Sequence, residues 1–151
     1  MPQPLLTGEF SLTLEPSHRL VLPAELRKQI DLQFGGSALF LIQGANQKAW
    51  LYPEYYFEQL TSELATGPER PDSESGFEML NFAMASRIVC DRRGRMLLPE
   101  KLVRRFGLLH KVALLGVRDH MEIWNREDWE AFALNFRSNS AIGFIRSMDH
   151  G

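Results

Sequence analysis

Apolar and polar positions alternate near the start of the chain. Phe10, Leu12 and Leu14 are separated by Ser11 and Thr13, the period of a half-buried strand. An acidic residue, Glu15, a short polar stretch and Arg19 follow, then a second apolar run from Leu20 to Leu22 that ends at Pro23. Proline suits the first turn of a helix, where no backbone donor is needed. A helix is therefore predicted from Ala24 to Ile30, with Leu26 and Ile30 on one side. A third strand, Leu39 to Ile42, leads to a fourth ending at Tyr52. A closing helix then carries Phe57, Leu60 and Leu64 on one face, at intervals of three and four.

The same succession recurs. Leu12 to Pro23 lies over Ile88 to Pro99, Leu26 over Leu102, and Ile30 over Phe106. After a short length difference, Leu51-Tyr52-Pro53 lies over Ile123-Trp124-Asn125 and Phe57 over Trp129. The second half thus predicts a helix from Glu100 to Phe106 and a third strand from Val112 to Leu115. Its fourth strand ends at Trp124, and its closing helix bears Trp129, Phe132, Ala133 and Phe136. Asn125 and Asp128 resemble an N-terminal cap with an acidic third position. Such a repeat reads as a duplication. The fold class is α+β, mainly β, with a first module over 5–66, a linker over 67–76, a second module over 77–137 and a C-terminal tail over 138–151. The linker is rich in Pro, Gly and Ser, Gly35-Gly36 reads as a turn, and a short helix is expected from Phe77 to Ala85. The tail is mostly polar but holds Ile142, Phe144 and Ile145, so it reads as a frayed end or a segment that docks on a neighbour.

A chain of 151 residues suits one compact domain or two small coupled ones, and 44% hydrophobic residues is ordinary for a globular protein. No apolar run approaches the roughly 18 residues that cross a bilayer. The opening Met1-Pro2-Gln3-Pro4 does not read as a secretion signal. The single cysteine, Cys90, lies in an apolar run and reads as a small buried hydrophobe. These features point to the cytoplasm. The formal charge of −2 runs against a nucleic-acid partner, but its distribution is uneven. From Arg87 to Arg105 there are Arg87, Arg92, Arg93, Arg95, Lys101, Arg104 and Arg105 against Asp91 and Glu100. Screening over about 8 Å lets such a basic face act apart from acidic surface elsewhere.

The paired hairpins resemble those of the MraZ family, regulators of bacterial division and cell-wall gene clusters whose halves belong to the AbrB-like group. The resemblance runs from Gly8-Glu9-Phe10 to about Phe132. It is carried by Glu15-x-x-x-Arg19 with Leu22-Pro23, by Asp91-x-x-Gly94-Arg95 with Leu98-Pro99, and by Met121-Glu122-Ile123-Trp124 with Trp129-Glu130. It implies two tandem swapped-hairpin modules related by a pseudo-two-fold and assembled as a homo-oligomer, in a closed ring. It further implies a repressor on the nucleoid that grips repeated elements of double-stranded DNA in its own upstream region. The family pattern, Asp-x-x-Gly-Arg, is complete in the second motif. In the first, Glu15 and His18 stand in place of Asp and Gly. Histidine adopts positive φ only occasionally, so the first turn is expected to differ in shape, and with it the aim of Arg19.

Two readings of the motif remain open. The carboxylates Glu15 and Asp91 lock the hairpins by bonding turn amides and the arginine four residues on. Alternatively, Arg19 and Arg95 donate to phosphates or to a guanine edge in the major groove. Ser17, His18, Arg92 and Arg93 lie in the turns and join the candidate DNA contacts. Arg27 and Lys28 sit on a short helix, where a solvated face competes with phosphate contact. His110, His120 and His150 lack metal-ligand spacing, and no metal, cofactor or small-molecule substrate is expected. Tyr52, Tyr55, Tyr56, Trp124 and Trp129 read as core or interface aromatics. With no phosphate loop and no nucleophile grouping, the chain is not expected to be an enzyme or to bind membranes. One hairpin alone should hold DNA only at about 10⁻⁴–10⁻⁶ M, which is why several linked copies are expected. The rival classes are an AbrB-like scaffold that has lost DNA binding and an antitoxin-like AbrB protein.

Overall fold

The computed structural model describes residues 4–34, 38–65 and 82–149. The expected linker over 67–76, the Gly35-Gly36 turn and most of the helix expected from Phe77 lie outside the described residues; 82–84 form a single helical turn. The fold is mixed α+β with antiparallel sheets. The first half contributes β1 (Leu6–Thr13), β2 (Arg19–Val21), α1 (Ala24–Phe34), β3 (Ala38–Gln43), β4 (Ala49–Pro53) and α2 (Glu54–Ala65). The second contributes β5 (Ser86–Val89), β6 (Arg95–Leu97), α3 (Glu100–Arg105), β7 (Lys111–Arg118), β8 (His120–Asn125) and α4 (Arg126–Asp149). The prolines stand just outside their helices: Pro99 is the residue before α3, with φ −59° and ψ 132°. The final helix runs without a break past Arg137.

Six strands form one sheet in the order β1-β7-β8-β4-β3-β5, and β2 and β6 form a separate two-stranded ribbon. Exchanging each strand for its repeat partner turns this order into its own reverse. The chain therefore carries a pseudo-dyad. The axis passes through the pair Trp50↔Glu122 in the large sheet and through Leu20↔Met96 in the ribbon, since each residue there faces its own image. The first strand of each half pairs with the third strand of the other, β1 with β7 and β5 with β3. These pairings keep one register across the repeat: Leu12↔Val112 corresponds to Ile88↔Leu39.

Strand alternation puts two sets of side chains on opposite faces of the sheet. Leu6, Val112, Leu114, Met121, Ile123, Leu51, Leu39 and Ile88 face the main core, which Leu20, Met96, Leu26 and Leu102 close from the ribbon and short helices. On the other face α2 covers Ile42 and Tyr52, and α4 covers Ala113, Leu115 and Trp124. The edge amide of Thr7 donates to Oε1 of Gln29 on α1, at 3.2 Å. That contact occupies one donor on the sheet edge formed by β1.

Leu20 and Met96 have no exposed surface. Leu20→Ala should cost about 2–5 kcal/mol. Because the halves share every sheet, urea unfolding followed by tryptophan fluorescence and by far-ultraviolet circular dichroism should superimpose in one transition. Two separate transitions would show halves that fold independently.

Candidate nucleic-acid interface

Both motif turns close in the same way. Glu15 N donates to Arg19 O at 3.0 Å and His18 N to Glu15 O at 2.8 Å. In the second, Asp91 N donates to Arg95 O at 3.1 Å and Gly94 N to Asp91 O at 2.9 Å. His18 has φ 67° where Gly94 has φ 85°. The expectation of a differently shaped first turn is thus corrected: the closing bonds hold His18 in the left-handed region, at a cost on the order of 1 kcal/mol. Each turn is also tied to the opposite hairpin, by Leu22 N to Gly94 O at 2.6 Å and Leu98 N to His18 O at 2.9 Å.

The turns differ in how their carboxylates act. Asp91 Oδ1 accepts the backbone amides of Arg93 and Arg95, both at 2.9 Å, and Oδ2 accepts Nε of Arg95 at 2.6 Å. The Arg95 backbone amide is the chief cause that holds the Asp91 carboxyl below the usual carboxylate range. Glu15, with one more methylene, forms an ion pair with Nε of Arg19 at 3.6 Å. The second hairpin is locked by a carboxylate; the first is held mainly by its backbone.

Alternation in the ribbon buries Leu20 and Met96 and turns Arg19, Val21, Arg95 and Leu97 outward. Arg19 lies opposite Leu97 and Val21 opposite Arg95, so two dyad-related arginines flank two aliphatic side chains, with Leu97 66% exposed. Ser17, Arg92 and Arg93 are exposed in the turns, and His18 is half-buried. Arg27 reaches from α1 across to the second turn, where its Nη1 donates to Arg92 O at 2.7 Å. Lys28 is exposed on the same helix. The segments 15–28 and 91–105, which build the ribbon with its turns and helices, hold nine Lys and Arg against four Asp and Glu in a chain of net charge −2.

A second polar cluster lies on the dyad, on the opposite face of the large sheet. His120 and Glu122 are buried. Glu122 Oε1 accepts Nδ2 of Asn46 and Nε1 of Trp124, each at 2.9 Å, and Oε2 meets His120 Nε2 at 2.9 Å. His120 Nδ1 meets Asp119 Oδ1 at 2.6 Å, and the Trp50 indole stacks on the imidazole at 3.9 Å. Burial pushes the Glu122 carboxyl up, but the bonds from His120, Asn46 and Trp124 outweigh it and leave it below its usual value. Sequence spacing could not reveal this cluster, because Asn46 and Trp50 lie about 70 residues from their partners. Asn125, read as a helix cap, instead ties the preceding turn: Oδ1 accepts Leu109 N at 2.7 Å and Nδ2 donates to Gly107 O at 2.9 Å. Cys90 is buried, and burial pushes its thiol up, as suits a core residue.

These features define a duplicated β module whose halves exchange strands and present an arginine-bearing ribbon. A family described as "MraZ protein, putative antitoxin-like" matches residues 81–143. The chain is 29% identical over 126 residues to the transcriptional regulator MraZ of Pediococcus pentosaceus, covering 83% of this chain and 85% of that one. It is 25% identical over 128 residues to the transcriptional regulator MraZ of Clostridium tetani, covering 85% and 87%. A third relative, the transcriptional regulator MraZ of Lactobacillus delbrueckii subsp. bulgaricus, is 29% identical over 129 residues, with the same coverage of 85% and 87%. Over about 85% of its length the chain is thus similar to regulators of the MraZ family.

Asp91→Ala should lower the melting temperature more than Glu15→Ala, because it frees two turn amides as well as an arginine. Equal losses in thermal scans would mean that the carboxylate bonds do not lock the second hairpin. For Glu122 the folded-state value is lowered, so its stabilisation is present above the ordinary carboxylate range and lost as pH falls through the lowered value. Glu122→Gln should cost roughly 1–3 kcal/mol at neutral pH, and the gap to the parent should narrow on acidification. A gap in denaturant titrations that stays constant with pH would remove the carboxylate charge from the cause.

Proposed function

We propose that this chain is a DNA-binding transcriptional regulator that holds double-stranded DNA on the β2–β6 ribbon. Its relatives carry the name of transcriptional regulators. The observation that carries the reading is the ribbon itself, with Arg19 and Arg95 at dyad-related positions on its exposed face. The major groove admits a two-stranded ribbon, and arginine is the commonest reader of a guanine edge there. A ribbon with its own approximate dyad suits DNA, whose strands are also related by dyads, so one chain can address both halves of a short pseudo-palindrome.

Carboxylate pairing does not spend the arginines. Asp91 engages Arg95 through Nε, one of five guanidinium donors. An exposed ion pair is worth only about 0–1 kcal/mol, and with Asp91 in place the remaining guanidinium donors of Arg95 can still turn to a phosphate. Ser17, His18, Arg92 and Arg93 flank the arginines in the turns, and Lys28 extends the basic surface along α1. Arg27 braces the second turn and acts on DNA through it. Because a single ribbon binds weakly, the regulator works as a homo-oligomer, a closed ring on repeated elements upstream of its own gene. There it represses a division and cell-wall cluster, in the cytoplasm on the nucleoid. No helix among the described residues is long and apolar enough to cross a membrane.

Titrating that upstream DNA at about 50 and 200 mM salt should show tight binding that falls by about 10³–10⁵, as 6–10 phosphate contacts require. Arg19→Ala and Arg95→Ala should each weaken binding by about 1–3 kcal/mol, roughly 5- to 150-fold. The two carboxylate–arginine pairs favour a second reading, in which the arginines only lock the hairpins. In that case both variants lose thermal stability while binding DNA as the parent does, and the ribbon is not the interface.

A further inference from the structure

The outward face of the β2–β6 ribbon is only half basic. Arg19 and Arg95 occupy one diagonal, and Val21 and Leu97 the other. Val21 is 45% exposed and Leu97 66%. Beside Leu97 the aliphatic surface continues onto β5. The bridge between Cys90 and Met96 sets Val89 next to Leu97, and Val89 is 58% exposed. Its image across the dyad is Thr13, also exposed but smaller and more polar. Aliphatic side chains gain nothing from standing in water, and the frame around them selects what covers them. Arg19 and Arg95 flank them, Ser17, Arg92 and Arg93 are exposed in the turns, and Lys28 is exposed on α1. Such a frame suits a polyanion that carries small apolar groups. In the major groove the apolar group on a base edge is the C5 methyl of thymine.

We propose that Val21 and Leu97 read thymine methyl groups next to the guanines addressed by Arg95 and Arg19. The spacing fits. Leu97 lies directly opposite Arg19, and Val21 opposite Arg95; such partners hold their Cβ atoms about 4.5–5.5 Å apart. Along one strand Arg19 and Val21 are two residues apart, about 6.8 Å, or two base steps of about 3.4 Å. Each half-site is therefore a guanine with a thymine within two base pairs of it. The halves are unequal. Leu97 backed by Val89 encloses a methyl more fully than Val21 backed by Thr13, so the thymine at Leu97 contributes more. This inference rests on the ribbon being the DNA interface and adds a base preference to that reading.

Deoxyuridine pairs as thymidine does and lacks only the methyl, so thymines of the upstream duplex can be replaced one at a time. The parent chain should lose about fourfold in affinity at each thymine read, the equivalent of about 0.8 kcal/mol for one buried carbon. Leu97→Ala should lose that discrimination at its own thymine and keep it at the thymine of Val21; Val21→Ala should do the converse. Comparing the two duplexes within each variant cancels any general loss of affinity or stability. A methyl effect of equal size in the parent and both variants reports DNA shape and overturns the contact. Equal affinity of the parent for every duplex, with Arg19→Ala and Arg95→Ala still weakened, overturns the contact while leaving the ribbon as the interface. A parent that does not bind this DNA, or arginine variants that bind as it does, overturns the ribbon reading and this inference together.

Discussion

The reciprocal exchange of strands is the constraint on which the rest of the structure depends. β1 completes its sheet only against β7, and β5 only against β3, so neither half can satisfy its own leading strand. Leaving those strands unpaired would expose backbone donors and acceptors and the apolar rows of Leu6, Leu12 and Ile88. Once exchanged, the hairpins have a single place to go. β2 and β6 meet over the main core, with Leu20 and Met96 pointing inward and the arginines outward. The ribbon is thus a consequence of the exchange, and its dyad is the dyad of the whole chain.

Helix starts reinforce the exchange from both sides. Glu54, opening α2, forms an ion pair with Arg87 of β5 at 2.6 Å. Its image Arg126, opening α4, donates from Nη2 to Leu12 O of β1 at 2.8 Å. The chemistry differs, but each contact fastens the strand contributed by the other half. Duplication lets image positions diverge wherever a dyad forces unlike partners together. At the axis, two glutamates in place of Trp50 and Glu122 would repel, and two tryptophans would leave His120 and Asn46 without their acceptor. The mixed pair stacks an indole on the imidazole and gives the carboxylate three hydrogen-bonding neighbours.

Local patterns made the elements legible, and the repeat made their order legible. Alternation at Phe10, Leu12 and Leu14, the Leu-Pro steps, and the helical spacing of Phe57 and Leu60 all correspond to observed strands and helices. Pairing was less accessible, because the same apolar alternation would serve a hairpin closed on itself; the exchange came through family resemblance. What escaped depends on contacts distant in sequence. His120 looked isolated because Trp50 and Asn46 reach it from β4 and the loop before it. Asn125 looked like a cap because its real partners, Gly107 and Leu109, lie ahead of β7, two strands earlier in the chain. His18 was expected to deform its turn because propensity was weighed without the cross-ribbon bond from Leu98, which fixes that turn from outside.

The two arginines are equivalent in position but not in cost. Asp91 gathers the amides of Arg93 and Arg95 and the Arg95 guanidinium, so Arg95 is held near one geometry before any partner arrives. Arg19 has a single, longer contact to Glu15 and keeps more of its rotamer freedom. An ordered arginine loses less entropy on docking, about 0.5–1.5 kcal/mol less for a long side chain, but must share its donors with a carboxylate that stays in place. A free one makes the opposite exchange. If the ribbon is the proposed DNA interface, one arginine of each kind would give it a pre-set contact to fix register and an adaptable contact for the other half-site. The Glu-for-Asp and His-for-Gly differences in the first motif alter that balance while preserving the turn.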